Sequence, residues 1–308
     1  MSAVGVVAAR PNVGRLLLAY LELTKPRIVT LVLVTGVPAM LLAQRRAPDL
    51  GLACATLLGT ALAAGSAAAF NNYYDRDIDA LMRRTATRPL PSGLLPPVHA
   101  VWLGAGLAIA SFAVLATFAN LLAAMLGLGS IFYYVVVYTM WLKRRTPQNI
   151  VIGGGAGASA PLIAWAAITG RIGVPAILLS SIVFLWTPPH FWALSLYRRD
   201  DYARAKIPML PVTHGEPETR RQIVVYAWIL VLATLALVPL RLVGFWYVAP
   251  AVLLGARFLQ LVHRLRRRAA IPDAVRVFRF SIAYLFLLYV ALAMDAIARF
   301  VARGPAGV

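Results

Sequence analysis

Residues 50–79 read LGLACATLLGTALAAGSAAAFNNYYDRDID, a run of small and apolar side chains that ends in three aspartates. Its first part, residues 50–72, carries no charge and is long enough to cross a bilayer as a helix, which takes about 20 residues. Eight further runs come close to that length: 28–44, 98–118, 121–141, 149–169, 173–195, 222–242, 246–263 and 277–299. A transmembrane barrel would show short alternating strands instead, and a lone helix satisfies its own backbone in lipid. Composition agrees. Charged residues make up 13% of the 308, where soluble chains carry about 25%, and hydrophobic residues reach 61% with a mean hydropathy of +0.76. The expected fold is an all-α integral membrane bundle of nine transmembrane helices. It divides into a cytoplasmic lead-in over 1–27, one transmembrane domain over 28–300 and a short tail over 301–308.

A net charge of +19 would point to nucleic acid in a soluble protein. In a membrane protein it has a plainer cause, the retention of Lys and Arg in cytoplasmic loops, so no nucleic-acid partner is expected. With the N-terminus inside, 23 of the 30 basic residues fall in cytoplasmic segments and 6 outside. This bias sets the N-terminus in the cytoplasm and the chain in the cell membrane. Arg257 is left inside the eighth run, and Asp295 is the one acid within a span. The single cysteine, Cys54, excludes an intrachain disulfide.

Two cytoplasmic loops, 73–97 and 196–221, are longer than the others and hold seven of the eleven acids. Positive-inside topology takes little account of acids, so this clustering needs another reason. If the second helix continues past the membrane surface, Asn71, Asp75 and Asp79 recur every four residues on one face. Two carboxylates and an amide so stacked can hold Mg²⁺, leaving positions for phosphate oxygens and water. Asp77 points elsewhere. The basic stretch 83–88 follows at once and suits a diphosphate. Where the sixth run enters the second loop, His190, Tyr197 and Asp201 share a face if one helix runs through them. Asp201 could add a carboxylate for a second ion. A secondary transporter would place its ionisable groups near mid-membrane, whereas here they gather at the cytoplasmic edge.

The chain resembles the UbiA superfamily of intramembrane prenyltransferases, and within it the haem-farnesylating members. The superfamily's first motif, Asn-x3-Asp-x3-Asp, is met by Asn71, Asp75 and Asp79. The narrower likeness rests on LTKPRI (23–28), YYDRDIDALMRRTATRPLPSG (73–93), YTMWLKRRTPQNIVIGG (138–154) and FLWTPPHFWALSLYRRDDYARAKIPMLP (184–211). The second motif departs: many members have Asp-x3-Asp where this chain has Tyr197-x3-Asp201.

The resemblance implies a UbiA-like bundle with its active site facing the cytoplasm. It implies farnesyl diphosphate as donor and the vinyl group of haem B as acceptor, with water addition to give haem O. Prenylation of a quinone or chlorin precursor and a non-enzymatic oxidase assembly role are the alternatives. Mg²⁺ would be the cofactor, held by Asn71, Asp75, Asp79 and Asp201, and haem would be a substrate. Lys25, Arg27, Arg88, Lys143 and Lys206 would bind diphosphate or haem propionates. A downstream haem-modifying enzyme is the implied partner besides the bilayer. His190 reads either as a packed histidine or as a residue near the haem iron. Asn149 and the Gly153–Gly155 run read as close helix packing.

Overall fold

The longest apolar runs become the longest helices. A computed structural model describes residues 12–44 and 49–303 and shows thirteen α-helices and one π-helix. In order these are α1 (Val13–Leu23), α2 (Pro26–Ala43), α3 (Leu50–Leu81), α4 (Pro97–Phe118) and α5 (Leu121–Phe132), which continues as a π-helix (Tyr133–Leu142). Then come α6 (Asn149–Gly157), α7 (Ser159–Thr169), α8 (Val174–Tyr197), α9 (Arg199–Arg204) and α10 (Leu210–Thr213). The chain closes with α11 (Gly215–Leu235), α12 (Phe245–Arg268) and α13 (Ile271–Arg303). Arg10, the Arg45–Arg46 pair counted outside, most of the 1–27 lead-in's first half and the end of the tail lie outside the described residues.

Among the described residues, eight helical segments are long and apolar enough to cross a membrane, where nine runs were expected. The expected 222–242 span is α11. Its first turns carry Glu216, Glu218, Arg220 and Arg221, and only residues 223–235 remain as an apolar helix. Thirteen residues rise about 20 Å, short of the roughly 30 Å hydrocarbon core. The 149–169 span is one membrane segment made of two helices that meet at Ala158.

Small residues let the helices approach closely. On the α3–α4 face, Ser66 Oγ donates to Gly104 O and Ser111 Oγ to Gly59 O, each at 2.7 Å. A Cβ on Gly59 would meet Leu115 at 2.5 Å, and one on Gly104 would meet Phe70 at 2.9 Å. Such contacts replace the hydrophobic drive that lipid removes. The largest buried cluster lies among α8, α11, α12 and α13, around Tyr247, Phe258, Tyr284 and Tyr289.

Both long loops are partly helical. α3 runs on to Leu81, so 73–81 is helix rather than loop. In the second loop, Tyr202, Ala205, Ile207 and Met209 pack on Ile78, Met82 and Ile150, which brings it against the end of α3. The single helix expected through His190, Tyr197 and Asp201 is broken. α8 stops at Tyr197, Arg198 leaves helical geometry (φ −115°, ψ 19°), and Asp201 lies on α9. The Arg198 carbonyl accepts from the amides of Asp201 and Tyr202, which starts the new helix.

Candidate active site

The extension of α3 decides the site, because it carries the four-residue repeat out to Asp79 in one continuous helix. Asn71, Asp75 and Asp79 are all buried, whereas the Asp77 side chain is 60% exposed and bound by Arg144. Asn71 Nδ2 donates to Asp75 Oδ2 at 2.7 Å and to Thr139 Oγ1 at 3.1 Å. Its Oδ1 accepts from Lys25 Nζ at 2.5 Å. Lys143 pairs with Asp75, and Arg88 Nη1 with Asp79 Oδ2 at 2.7 Å. One connected network thus joins Lys25, Asn71, Asp75 and Lys143, with the Asp79–Arg88 pair one turn beyond.

The two lysines are each delivered by a local device. Lys25 sits between α1 and α2 at φ 52°, in the left-handed region that a side chain rarely occupies, directly before Pro26. Asn72 Nδ2 donates to Leu23 O and Ala68 O, both at 2.9 Å, and so ties this corner to α3. Lys143 caps the π-helix, where Lys143 N donates to Tyr138 O at 2.8 Å and Thr139 Oγ1 to Tyr134 O at 2.8 Å. The wider turn carries Thr139 and Lys143 to the same side, toward Asn71 and Asp75. Gly153 and Gly155 make room for it, since Cβ atoms there would meet Tyr138 at 2.2 Å and Tyr133 at 3.2 Å, while Gly154 lets α8 approach, where a Cβ would meet Thr187 at 3.0 Å. Close packing, as read from the sequence, is what these glycines provide. Asn149 is buried and donates to Thr146 O at 2.6 Å, holding the turn after Lys143.

Burial and the nearby Arg88 guanidinium push the Lys25 ammonium down to about 7. Burial works against the Lys143 charge too, but Asp75 outweighs it and raises that pKa. An arriving anion would favour the charged form of both. Asp75 Oδ1 is buried with no hydrogen-bond partner. A buried carboxylate oxygen left open in a polar network is costly unless something occupies it. The donors are hard oxygens, which suits Mg²⁺. No group of three or more His, Cys, Asp or Glu side chains comes together among the described residues, so Asp201 does not complete a carboxylate cluster with Asp75 and Asp79. Two carboxylates and an amide still match an ion that takes its other ligands from phosphate and water.

Beside Lys25, a cavity runs between α2, α3, α5 and α6, lined by Val32, Ala67, Tyr134 and Gly157 among others. Its wall is mostly apolar.

His190 lies on α8 with its ring stacked on Trp186 (4.3 Å between centroids) and on Phe278 (4.7 Å). Its Nδ1 is 2.7 Å from Ser281 Oγ, and Ser281 Oγ donates its proton to Phe278 O at 2.7 Å. A hydroxyl has one proton, so Ser281 accepts from His190. The network assigns the proton to Nδ1 and leaves a lone pair on Nε2. Tyr197 meets the edge of the same Phe278, at 5.8 Å. Asp201 is buried and paired with Arg204, with Arg198 at 3.9 Å. Arg27 and Lys206 are exposed, and Lys206 also has a left-handed backbone (φ 52°).

The structure therefore unites Lys25, Asn71, Asp75, Asp79, Arg88 and Lys143, and joins His190 to Tyr197 through Phe278. Sequence reading missed Thr139, Asn72, Arg204 and Ser281. Thr139 was legible in principle, four residues before Lys143. Ser281 was not, since it lies 91 residues from the histidine it orients.

Known proteins resemble this chain in sequence and in fold. The family model described as UbiA prenyltransferase family matches residues 32–293. A protoheme IX farnesyltransferase from Pseudarthrobacter chlorophenolicus is 51% identical over 293 residues, covering 94% of this chain and 92% of the relative. One from Synechococcus elongatus is 52% identical over 291 residues, covering 93% and 91%. The chain spans 53% of a longer relative of that name from Roseiflexus sp., at 48% identity. Among solved structures, a digeranylgeranylglyceryl phosphate synthase superposes with a TM-score of 0.75 at 19% identity, covering 92% of this chain and 99% of that one. A UbiA homologue from Archaeoglobus fulgidus bound to DMAPP and Mg²⁺ gives 0.62 at 20% identity, covering 88% and 99%. With a buried Asn-x3-Asp-x3-Asp face at its centre and the family model matching most of its length, the chain belongs to the UbiA prenyltransferase family.

Proposed function

We propose that this chain transfers a farnesyl group from farnesyl diphosphate to a vinyl group of haem B, giving haem O. The observation that carries the reading is the buried Asn71–Asp75–Asp79 face with three cations against it and an apolar cavity beside it. The near-half identity to protoheme IX farnesyltransferases across most of the chain supplies the acceptor.

The donor's C1–O bond breaks and its electron pair leaves with the diphosphate. The vinyl π electrons then form the new carbon–carbon bond to the allylic carbon. The cation left beside the porphyrin takes up water, which loses a proton to give the hydroxyethylfarnesyl side chain. Mg²⁺ bound to Asn71, Asp75 and Asp79 would neutralise the diphosphate and improve it as a leaving group. Lys143 and Arg88, released from their carboxylates, and Lys25, released from the Asn71 amide oxygen, would take the departing oxygens, and such preorganised charge is the largest common source of catalysis. Arg27 and Lys206 stand as further anion contacts, and Asp201 as the candidate ligand of a second ion. The apolar cavity would accept the prenyl chain and keep water from the cation until the bond has formed. No base is needed to activate the acceptor.

His190 would face the haem. Its Nε2 lone pair is a suitable ligand for iron, and the Trp186–Phe278 stack fixes its direction. The reading places the reacting site on the cytoplasmic side of the cell membrane, with the product passing to a haem-modifying enzyme. Pigment analysis tests it. Membranes carrying the chain should accumulate haem O when supplied with haem B and farnesyl diphosphate. Prenylated quinone without haem O would sink the proposal.

A further inference from the structure

Arg257 is unexplained by the catalytic site. It lies in the middle of α12, eleven residues or about 16 Å from the helix's basic end, and it is exposed on the outside of the bundle. A charge at such a depth is costly and by default marks a function. Its hydrogen-bond partner is neutral, Gln260 Oε1 at 2.5 Å. Among the described residues no carboxylate pairs with Arg257, Arg267 or Arg268. Arg264, between them, has its charge matched by Asp273 at 3.0 Å.

Gln260 stands one turn nearer the basic end, so its bond bends the Arg257 guanidinium toward that end. Arg257, Arg264, Arg267 and Arg268 line one hollow of about 490 Å³, with Gln260 and His263 in its wall. Below it the surface is apolar: Leu253 is 71% exposed, and Ile229 and Leu232 on α11 are exposed too. Trp228 on α11 is exposed and donates its indole N–H to His263 Nε2 at 3.1 Å, and exposed tryptophan is enriched at membrane–water interfaces. This end of α12 is the active-site end. Asp273, which Arg264 meets, begins α13, and that same stretch supplies Phe278 and Ser281 to His190.

We infer that the outer face of α12 binds an anionic phospholipid, its phosphodiester seated among Arg257, Arg267 and Arg268 and its acyl chains on Leu253 and the α11 surface. The guanidinium of Arg257 keeps N–H donors beyond the one given to Gln260, enough to reach a phosphate oxygen. The stem of the side chain lies along apolar surface while the head rises toward the interface. The C-terminal dipole of α12 disfavours an anion, so the arginines and not backbone amides must hold it. Basic hollows at membrane-helix ends on the cytoplasmic side recognise such headgroups.

The test uses the purified protein in neutral detergent, with native mass spectrometry counting bound lipid. Phosphatidylglycerol should be retained and phosphatidylcholine should not. Arg257→Leu should weaken phosphatidylglycerol binding about fivefold, the effect of one arginine near the headgroup plane. The double variant Arg267→Gln/Arg268→Gln should weaken it further. Arg171→Gln, which removes a charge at the other end of the bundle, should change nothing. Equal retention of both lipids, or wild-type retention in both α12 variants, would overturn the inference. Full displacement of the lipid by equimolar inorganic phosphate would overturn it as well, since the site would then be one for a free anion.

Discussion

Asp75 and Asp79 are one helical turn apart, yet they are held by different cations from different elements. Each therefore has a separate task to lose. Asp79→Ala should lower farnesyl transfer by about 10²–10³-fold, as for removal of one group that stabilises developing charge. Asp77→Ala, at an exposed carboxylate paired with Arg144, should cost no more than a few fold. The check is haem O formed per minute at saturating magnesium, and an Asp79→Ala protein with near-normal turnover would refute the assignment. His190 and Asp201 should separate the two substrates. His190→Ala should impair haem binding and shift the Soret band of the bound haem while leaving farnesyl diphosphate affinity nearly intact. Asp201→Ala should do the opposite. An unchanged Soret band in His190→Ala would leave His190 as a packed core side chain tied to Ser281.

The π-helix is the element on which Lys143 depends, and Gly153 is where it can be disturbed. A Cβ at Gly153 would stand 2.2 Å from the Tyr138 ring, and Lys143 N bonds the Tyr138 carbonyl. Gly153→Ala should push Tyr138 aside and weaken farnesyl diphosphate use by about tenfold or more, in keeping with small misplacements of positioning groups. The double variant with Tyr138→Ala should recover part of that loss, because the clash is removed. Full activity in Gly153→Ala alone would show that the π-helix does not set the lysine. At the opposite end of the bundle, buried Asp295 accepts from Gly244 N at 3.0 and 2.9 Å and pairs with Arg299 at 3.0 Å. This explains an acid inside a span: it closes the connection between α11 and α12. Asp295→Ala would leave Arg299 only the Leu242 carbonyl and Gly244 N without its acceptor, and should cost about 3 kcal/mol, read as a fall in thermal midpoint. A midpoint within a degree of wild type would disprove that role.

At the scale of the whole molecule, the basic bias predicts an orientation that labelling can test. The acid-bearing end of α3 carries Arg83 and Arg84 in exposed positions, whereas Thr85 beside them is buried. In a background lacking exposed Cys54, Arg83→Cys should react with an impermeant thiol reagent from the cytoplasmic side, and Arg171→Cys from the other side. Reversed labelling would invert the topology.

Much of this was legible in the sequence because it is local. Hydropathy over about 20 residues determines membrane helices, and a four-residue repeat continued on a helix determines that Asn71, Asp75 and Asp79 share a face while Asp77 does not. The basic bias is likewise a count along the chain. What only the tertiary structure decided was which cation meets which carboxylate, across 46 residues for Lys25 and Asn71 and 68 for Lys143 and Asp75. It also decided the π-helical turn, the break at Arg198 that takes Asp201 off the His190 helix, and the Ser281 contact that fixes the imidazole tautomer. These depend on how distant helices pack and on which polar groups packing strips of water. Once buried, such groups must find partners wherever the fold supplies them.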